Sequence, residues 1–585
     1  MDNVYIVGER GHATQKKAAP SADCTSARWA CHVLPRYPMS ISRPLLLGIS
    51  LAISAFACAD NLTADPSSAD LVELTPVQFR ESFLTRSGPE LRLAGKPFRM
   101  VGMNFGGGCD HLSLEAQTAQ YTQTARDART NTVRTWWLQA WGGPADWTRF
   151  DREVALARAH GVKLVVTLGN QWGQCEPLRQ DGALHFKLRD WYENGYRAYG
   201  VDGYVLPYKK FVQAVVARYA NEPAVGVFQL MNEAEAPDTT EGRCDEPRAA
   251  AALSAFSKDM ISVIREVDTK HLLSLGTQGA GQCGTAGDSY RVVHQTGVDL
   301  CEYHDYSQPK RAMPIGGFED PANNGLATRL RQCRDLGLPL FVGEAGILVP
   351  QEARTTNERA LLLGAKVGAA FEGGAAGYLL WHRGFGTSND HYIAPGELTE
   401  SMLDAYTHPT TWTTEQIGGP NGFAAQQGGE HRLASLGADI WHTQDAFTFV
   451  RTPRTGDVTI QARVESFKEG NDWAKAGVML RAGLGAASAH ISMTLTPVNG
   501  AAFLVRPSEG AETTISSLWG VKAPYWVRVS RTGDLFVGSV SADGQTWKEV
   551  GRVTGPAPTK VYAGLAASGA GGLVRARISK ATIRP

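Results

Sequence analysis

The chain has 585 residues, too many for a single hydrophobic core, with the 43% hydrophobic and 20% charged content of ordinary soluble globular protein. Lysine plus arginine and aspartate plus glutamate balance at 58 each, so no charge excess points to nucleic acid, and no basic helix points to a membrane surface. The 63 glycines fit a loop-rich exported protein.

Taken from the amino end, Arg43 and Pro44 lead into an apolar run from Leu45 to Phe56, followed by Ala57-Cys58-Ala59-Asp60. A charged start, a short apolar stretch and small residues at a cleavage site make an export signal, and the run is too short to span a bilayer. Met39 reads as the natural start, which makes residues 1–59 an extension plus signal. Two fates stay open: cleavage after Ala59, giving a secreted protein, or lipid attachment at Cys58, giving a bacterial cell-surface lipoprotein. Residues 60–84 read as a polar linker. Of nine cysteines, Cys24 and Cys31 precede Met39 and Cys58 belongs to the signal. The other six are Cys109, Cys175, Cys244, Cys283, Cys301 and Cys333, enough for three disulfides in an exported chain. Cys301 and Cys333 are close enough in the pattern to pair. Cys109, Cys175, Cys244 and Cys283 all fall in loops after strands, where disulfides would hold the loops of a cleft. No Cys-x-x-Cys pattern suggests structural zinc, and neither metal nor cofactor is expected.

From 85 to 412 eight β-rich apolar runs alternate with helical stretches. The runs are 98–104, 132–137, 163–169, 225–231, 271–276, 298–304, 339–344 and 377–381; helices are predicted at Trp147–His160, Tyr208–Tyr219, Ala249–Val267 and Thr356–Phe371. Eight β/α alternations predict an α/β fold, a closed (β/α)8 TIM barrel. Glycine-rich residues 413–430 read as a second linker. From 431 to 585 helical periodicity gives way to short strands with turn signals such as Thr532-Gly-Asp and Ala542-Asp-Gly, predicting an accessory all-β sandwich.

Chemistry in such a barrel sits where strands end. The fourth run ends in Asn232-Glu233 and the seventh in Glu344-Ala345; the second carries Arg134, the sixth ends in His304-Asp305-Tyr306, and the eighth ends in Trp381. A second Asn-Glu pair, Asn221-Glu222-Pro223, precedes the fourth strand and reads as a helix-to-strand turn on the opposite face. Two carboxylates across a barrel mouth suit glycosidic cleavage, one donating a proton to the leaving oxygen and the other attacking the anomeric carbon.

These positions, Arg134, Asn232, Glu233, His304, Tyr306, Glu344 and Trp381 on their respective strands, resemble glycoside hydrolase family 5, of the large clan of eightfold barrels. The resemblance implies Glu233 as acid/base and Glu344 as nucleophile of a retaining enzyme. It also implies that Asn232 bonds the sugar 2-hydroxyl, Arg134 keeps Glu344 ionised, Tyr306 bonds the nucleophile, His304 shapes the site and Trp381 stacks under the sugar. Leu168-Gly-Asn-Gln-Trp172, with Trp191-Tyr192 and Phe211–Tyr219, resembles the β-mannanase branch and adds Asn170 and Trp172 as substrate contacts. Ala234 stands where the family has proline, Glu235 where an arginine might stand, and Asn170 where many members have histidine. The sandwich, through 472–481 and 541–547, resembles concanavalin-A-like or LamG-like domains; carbohydrate binding and a spacer role stay open for it.

The bland readings are an ion pair for Glu233 and Glu344, a satisfied core histidine for His304, and packing for Trp136, Trp137, Trp141, Trp147 and Trp172. Glu302 reads as a second charged wall residue. A metal site through His294, His304 and Asp305 has no supporting ligand spacing. The expected substrate is a polysaccharide, mannan first and β-1,4-glucan second; a non-catalytic polysaccharide-binding protein is the alternative class. Neither nucleic acid nor a protein partner is implied.

Overall fold

The computed structural model describes residues 74–585 apart from 106–112, 179–181, 201–202, 315–323, 384–390 and 556–557. The export signal, Cys58 and Cys109 lie outside the described residues. Among those described, no helix is long and apolar enough to cross a membrane.

Eight parallel strands form the barrel: β1 (Met100–Phe105), β2 (Thr132–Trp136), β3 (Lys163–Thr167), β4 (Val225–Gln229), β5 (Leu272–Ser274), β6 (Cys301–Asp305), β7 (Leu340–Ala345) and β8 (Gly377–Arg383). They pair in the order β5-β4-β3-β2-β1-β8-β7-β6, and a parallel bridge between Ser274 and Leu300 nearly closes the ring. Each predicted run supplies one strand. The helices between them bury one apolar face, as Phe211, Val212, Val215, Val216 and Tyr219 do on Tyr208–Tyr219.

The floor of the barrel interior is apolar. Met100, Val165, Val227, Leu272, Leu300, Phe341 and Leu379 meet there and are capped by Leu84, Leu91, Leu93 and Phe98 from a short antiparallel meander. The described part of the expected 60–84 linker is therefore not a free tether. Pro76–Glu81 is a helix started by a Thr75–Gln78 capping box, and Leu74 and Phe79 pack on the floor cluster.

The predicted sandwich is present, as two antiparallel sheets. One runs Thr413–Ile417, Gln444–Thr455, Lys560–Ser568, Lys475–Arg481, His490–Leu495, Ala501–Arg506, Thr514–Leu518; the other runs Gly422–Gln427, Glu430–Ser435, Val574–Arg584, Val458–Glu469, Tyr525–Thr532, Leu535–Ser541, Lys548–Thr554. This corrects the 413–430 linker, which instead supplies an edge strand to each sheet. The misleading signal was Gly428-Gly429. Both have positive φ, 57° and 79°, and form the two-residue turn of a hairpin in which Gln427 pairs with Glu430. The sandwich is fastened to the barrel. Arg432 grips Asp404 with two hydrogen bonds of 2.7 and 2.8 Å, and Phe423 packs into the barrel core.

Candidate active site

Side chains alternate along a strand, so β2, β4, β6 and β7 each place every second residue inside the barrel. Above the apolar floor the inward residues turn polar. Arg134, Gln229, Glu302 and Asn104 are wholly buried there.

Arg134 organises this layer. Its Nη1 donates to Glu344 Oε1 at 2.6 Å and to Asn104 Oδ1 at 2.9 Å; its Nη2 donates to Asn232 Oδ1 and Gln229 Oε1, both at 2.7 Å; its Nε donates to Gln229 Oε1 at 3.0 Å. A guanidinium with planar, fixed donors can hold three strand ends in one geometry, which a lysine could not.

Glu233 follows β4 with φ at 55°, a left-handed conformation rare for a side chain with Cβ. Its Oε2 accepts from Trp172 Nε1 at 2.5 Å, and its Oε1 accepts from Gln278 Nε2 at 3.0 Å and lies 2.8 Å from His304 Nδ1. Across the mouth, Glu344 Oε2 accepts from the Tyr306 hydroxyl at 2.7 Å and lies 3.6 Å from the same His304 nitrogen. One oxygen from each glutamate and the His304 nitrogen all lie within 4.8 Å of one another.

His304 is ringed by acids, because its Nε2 lies 3.1 Å from Glu302 Oε1. Burial disfavours its charged form, yet the Glu344 charge and the bonds to Glu233 and Glu302 prevail and push it up to about 10. Burial also works against the Glu233 charge, but His304 and Trp172 outweigh it and hold that carboxyl below its usual range. Burial keeps Glu344 above the usual range, against the pull of His304, Arg134 and Tyr306. The free site thus keeps a proton on the imidazole, 2.8 Å from Glu233. The directions for the two glutamates are the reverse of a simple acid-above-nucleophile ordering; the proton inventory belongs to the cluster, not to either carboxyl alone.

The remaining predicted residues divide. Trp381 is partly exposed at the mouth, its ring 5.2 Å from Trp136 in a T-shaped contact. Asn170 is bridged to Asn232, and its amide also engages Gln174. Trp172 reaches Glu233 through its N–H. Trp137 is core, stacked on Phe150 and bonded to Glu153, and Trp147 packs on Phe150 and Tyr219. His294, His304 and Asp305 do not assemble: Asp305 points outward to Lys366 and Tyr378, and His294 bonds the Tyr290 carbonyl. Glu222 is held by Arg158 at the opposite end of β4, as a helix-to-strand turn should be.

Disulfides join Cys244 to Cys283 and Cys301 to Cys333, and Cys175 is also disulfide-bonded. The first ties the loop after β4 to the loop after β5.

Asn104, Gln229 and Gln278 join the site beyond the residues expected from the sequence, and Glu302 is the charged wall residue expected of it. Asn104 sits at the end of an apolar run, the signal that found the other residues. Gln229 and Glu302 lie within strands, where only their inward register marks them. Gln278 follows β5, whose end carried no charged or aromatic residue. Gly343 belongs to the same constellation, since a Cβ there would lie 1.9 Å from Glu302 Oε1.

Residues 91–369 match the family model described as cellulase (glycosyl hydrolase family 5). The chain is 25% identical over 311 residues to mannan endo-1,4-beta-mannosidase 8 of Oryza sativa subsp. japonica, spanning 45% of this chain and 79% of the relative. It is also 25% identical over 361 residues to mannan endo-1,4-beta-mannosidase 3 of Arabidopsis thaliana, spanning 52% and 82%. Among solved structures, the endo-1,4-beta-mannanase from Rhizomucor miehei is similar over 55% of this chain and 97% of that one, with 16% identity and a TM-score of 0.43.

Proposed function

We propose that this protein is a retaining endo-β-1,4-mannanase of glycoside hydrolase family 5, with Glu233 as acid/base and Glu344 as nucleophile. The observation that carries the assignment is the approach of the two carboxylates, with oxygens within 4.8 Å. That approach fits the roughly 5 Å of a double displacement better than the roughly 6.5–9.5 Å at which an inverting pair holds its water.

The roles follow from the partners. Glu344 is gripped by Arg134 and Tyr306, which favour its ionised form and aim it across the mouth. It would attack the anomeric carbon while Glu233 gives a proton to the departing glycosidic oxygen, leaving a glycosyl ester on Glu344. Glu233, now ionised, would take a proton from water as that water attacks the same carbon, releasing Glu344 and restoring the acid. The His304–Glu233 pair carries the proton that this cycle spends and recovers. Asn232, 7% exposed and fixed by Arg134, would meet the sugar 2-hydroxyl, and Trp381 would stack beneath the ring. Asn170 would support Asn232, and Trp172 would fix Glu233 while presenting an edge to the substrate.

Mannan as the sugar is supported by the names of the curated relatives. Release of reducing ends from β-1,4-mannan, carboxymethylcellulose and xylan, with the anomer of the first product followed by NMR, tests the proposal. Cleavage of mannan above the others with retention is expected. Preference for the glucan would replace the substrate, an inverted first product would overturn the mechanism, and no cleavage of any would favour the non-catalytic alternative. Export, by cleavage after Ala59 or lipid attachment at Cys58, is proposed from the sequence alone; mass spectrometry of the mature amino terminus distinguishes the two.

A further inference from the structure

We propose that the sandwich carries its own binding site for a neutral polysaccharide chain, centred on Trp473 and Trp519. Among the described residues exposed large aromatics are few, and two of them meet at one end of the sandwich. Trp473 is 41% exposed and Trp519 63% exposed, with ring centroids 6.4 Å apart at 76°. They come from turns far apart in sequence that strand pairing brings together. Trp473 precedes Lys475–Arg481, which pairs with His490–Leu495; the turn after that strand, 496–500, joins Ala501–Arg506, whose Ala501 pairs with Leu518 beside Trp519. Val498, 55% exposed, stands on the same middle turn.

The corner these rings make is built, not frayed. Asn471 Oδ1 accepts from the Trp473 amide at 2.8 Å, and Lys475 Nζ donates to the Trp473 carbonyl at 3.1 Å, so that residue is held on both sides. Asn499 Nδ2 donates to the Asp472 carbonyl at 3.0 Å and ties the middle turn to the first. Two indoles held in water by a fixed backbone have no folding benefit comparable with burial, and an exposed apolar patch rimmed by polar groups marks a contact surface.

The chemistry of the rim selects the occupant. Residues 470–474, 496–500 and 519–522 contain one acid, Asp472, and one base, Lys522, and so carry no net charge. The Lys475 ammonium is bound to Asp439 at 2.6 Å and buried. An anionic lipid surface or nucleic acid would call for a cluster of free cations. A neutral glycan needs apolar faces for its C–H surfaces and polar groups for its hydroxyls; the two indoles supply the first, and the Asp472 carboxylate, on the turn that Asn471 and Asn499 brace, supplies the second. The site would keep the catalytic barrel on an insoluble chain.

The test uses the full chain and two variants, Trp473→Ala with Trp519→Ala, and Trp519→Phe. Retention on insoluble β-1,4-mannan and on cellulose is measured by sedimentation, alongside cleavage of a soluble oligosaccharide. The double alanine variant should lose retention by about tenfold or more while soluble cleavage is unchanged, and Trp519→Phe should keep most of it. Equal retention by all three chains would overturn the proposal, as would a wild-type chain that sediments with neither polysaccharide. Tryptophan-dependent sedimentation with phosphatidylglycerol vesicles, or tryptophan-dependent dimerisation, in place of glycan retention would assign the corner to a membrane or a second copy. Retention is independent of turnover, so failure of the catalytic reading leaves this result interpretable.

Discussion

Replacing Glu302 by glutamine removes a charge from the floor of the site and almost no volume. Glu302 Oε1 lies 3.1 Å from His304 Nε2 and 3.8 Å from Arg134 Nε. A unit charge at the first distance is worth roughly 5 kcal/mol to the imidazolium at an effective dielectric near 20. The guanidinium beside the same oxygen cancels part of that, and the new amide oxygen still accepts from Nε2. The expected fall for His304, now pushed up to about 10, is therefore about 1 to 3 pH units. His304 shares its proton with Glu233, so the change should appear in the macroscopic basic limb of the kcat/KM profile on a soluble β-1,4-linked oligosaccharide. The limb should move to lower pH, with activity near pH 6 kept within a few-fold. Stability gives an independent readout. His304 stands above its ordinary 6.5 in the folded chain, so its contribution is complete below that pH and disappears as pH rises through about 10. In Glu302→Gln that loss should finish earlier. A basic limb that stays in place, or moves up, in a variant with unchanged unfolding temperature at pH 6 would refute the account of His304 as the store of the acid's proton.

Glu233→Ala should lower kcat by about 10²- to 10⁴-fold on substrates with poor leaving groups. Glu344→Ala should show no turnover, and added azide should restore some and yield the inverted glycosyl azide; a retained product would exchange the roles. Tyr306→Phe removes a hydrogen bond from the ionised form of Glu344, so the acidic limb of kcat/KM should rise by about 1 pH unit, and a limb that falls would contradict the contact's sign. Cys244→Ser with Cys283→Ser opens a 39-residue connection between active-face loops and should cost about 4 kcal/mol of unfolding free energy, read by denaturant titration.

What could be read in the sequence was whatever local chemistry repeats along a strand. Eight apolar runs gave eight strands, and the polar residue just past each run gave Glu233, Tyr306 and Glu344. The same rule separated Glu222 from Glu233, because position relative to the strand outweighs the spelling of the motif. Residues that act from within a strand were hidden. Gln229 and Glu302 interrupt apolar stretches without ending them, and their meaning depends on the neighbour each faces across the barrel, which periodicity does not encode. Tryptophans gave the opposite difficulty. Trp137 and Trp172 both follow strand ends, yet one stacks in the core and the other bonds the proposed acid. Gly428-Gly429 looked like the flexibility of a linker because a hairpin turn with two positive φ angles uses the same residue.

The hidden residues alter how the site's charge is counted. Glu233 and Glu344 with Arg134 alone would leave a single excess negative charge. Glu302 adds another, and the protonated His304 between the three acids removes it again, returning the cluster to one net negative charge among groups that are buried. One negative charge is what an oxocarbenium-like transition state requires from its surroundings, and in a site shielded from water it acts at low screening. Glu302 therefore need not touch the sugar to matter. Together with Glu344 and Glu233 it keeps a proton on the imidazole, within 4.8 Å of both glutamates and beside the one proposed to deliver a proton. Without the third carboxylate, His304 would hold its proton through Glu344 and Glu233 only, while burial pushes both glutamates the same way.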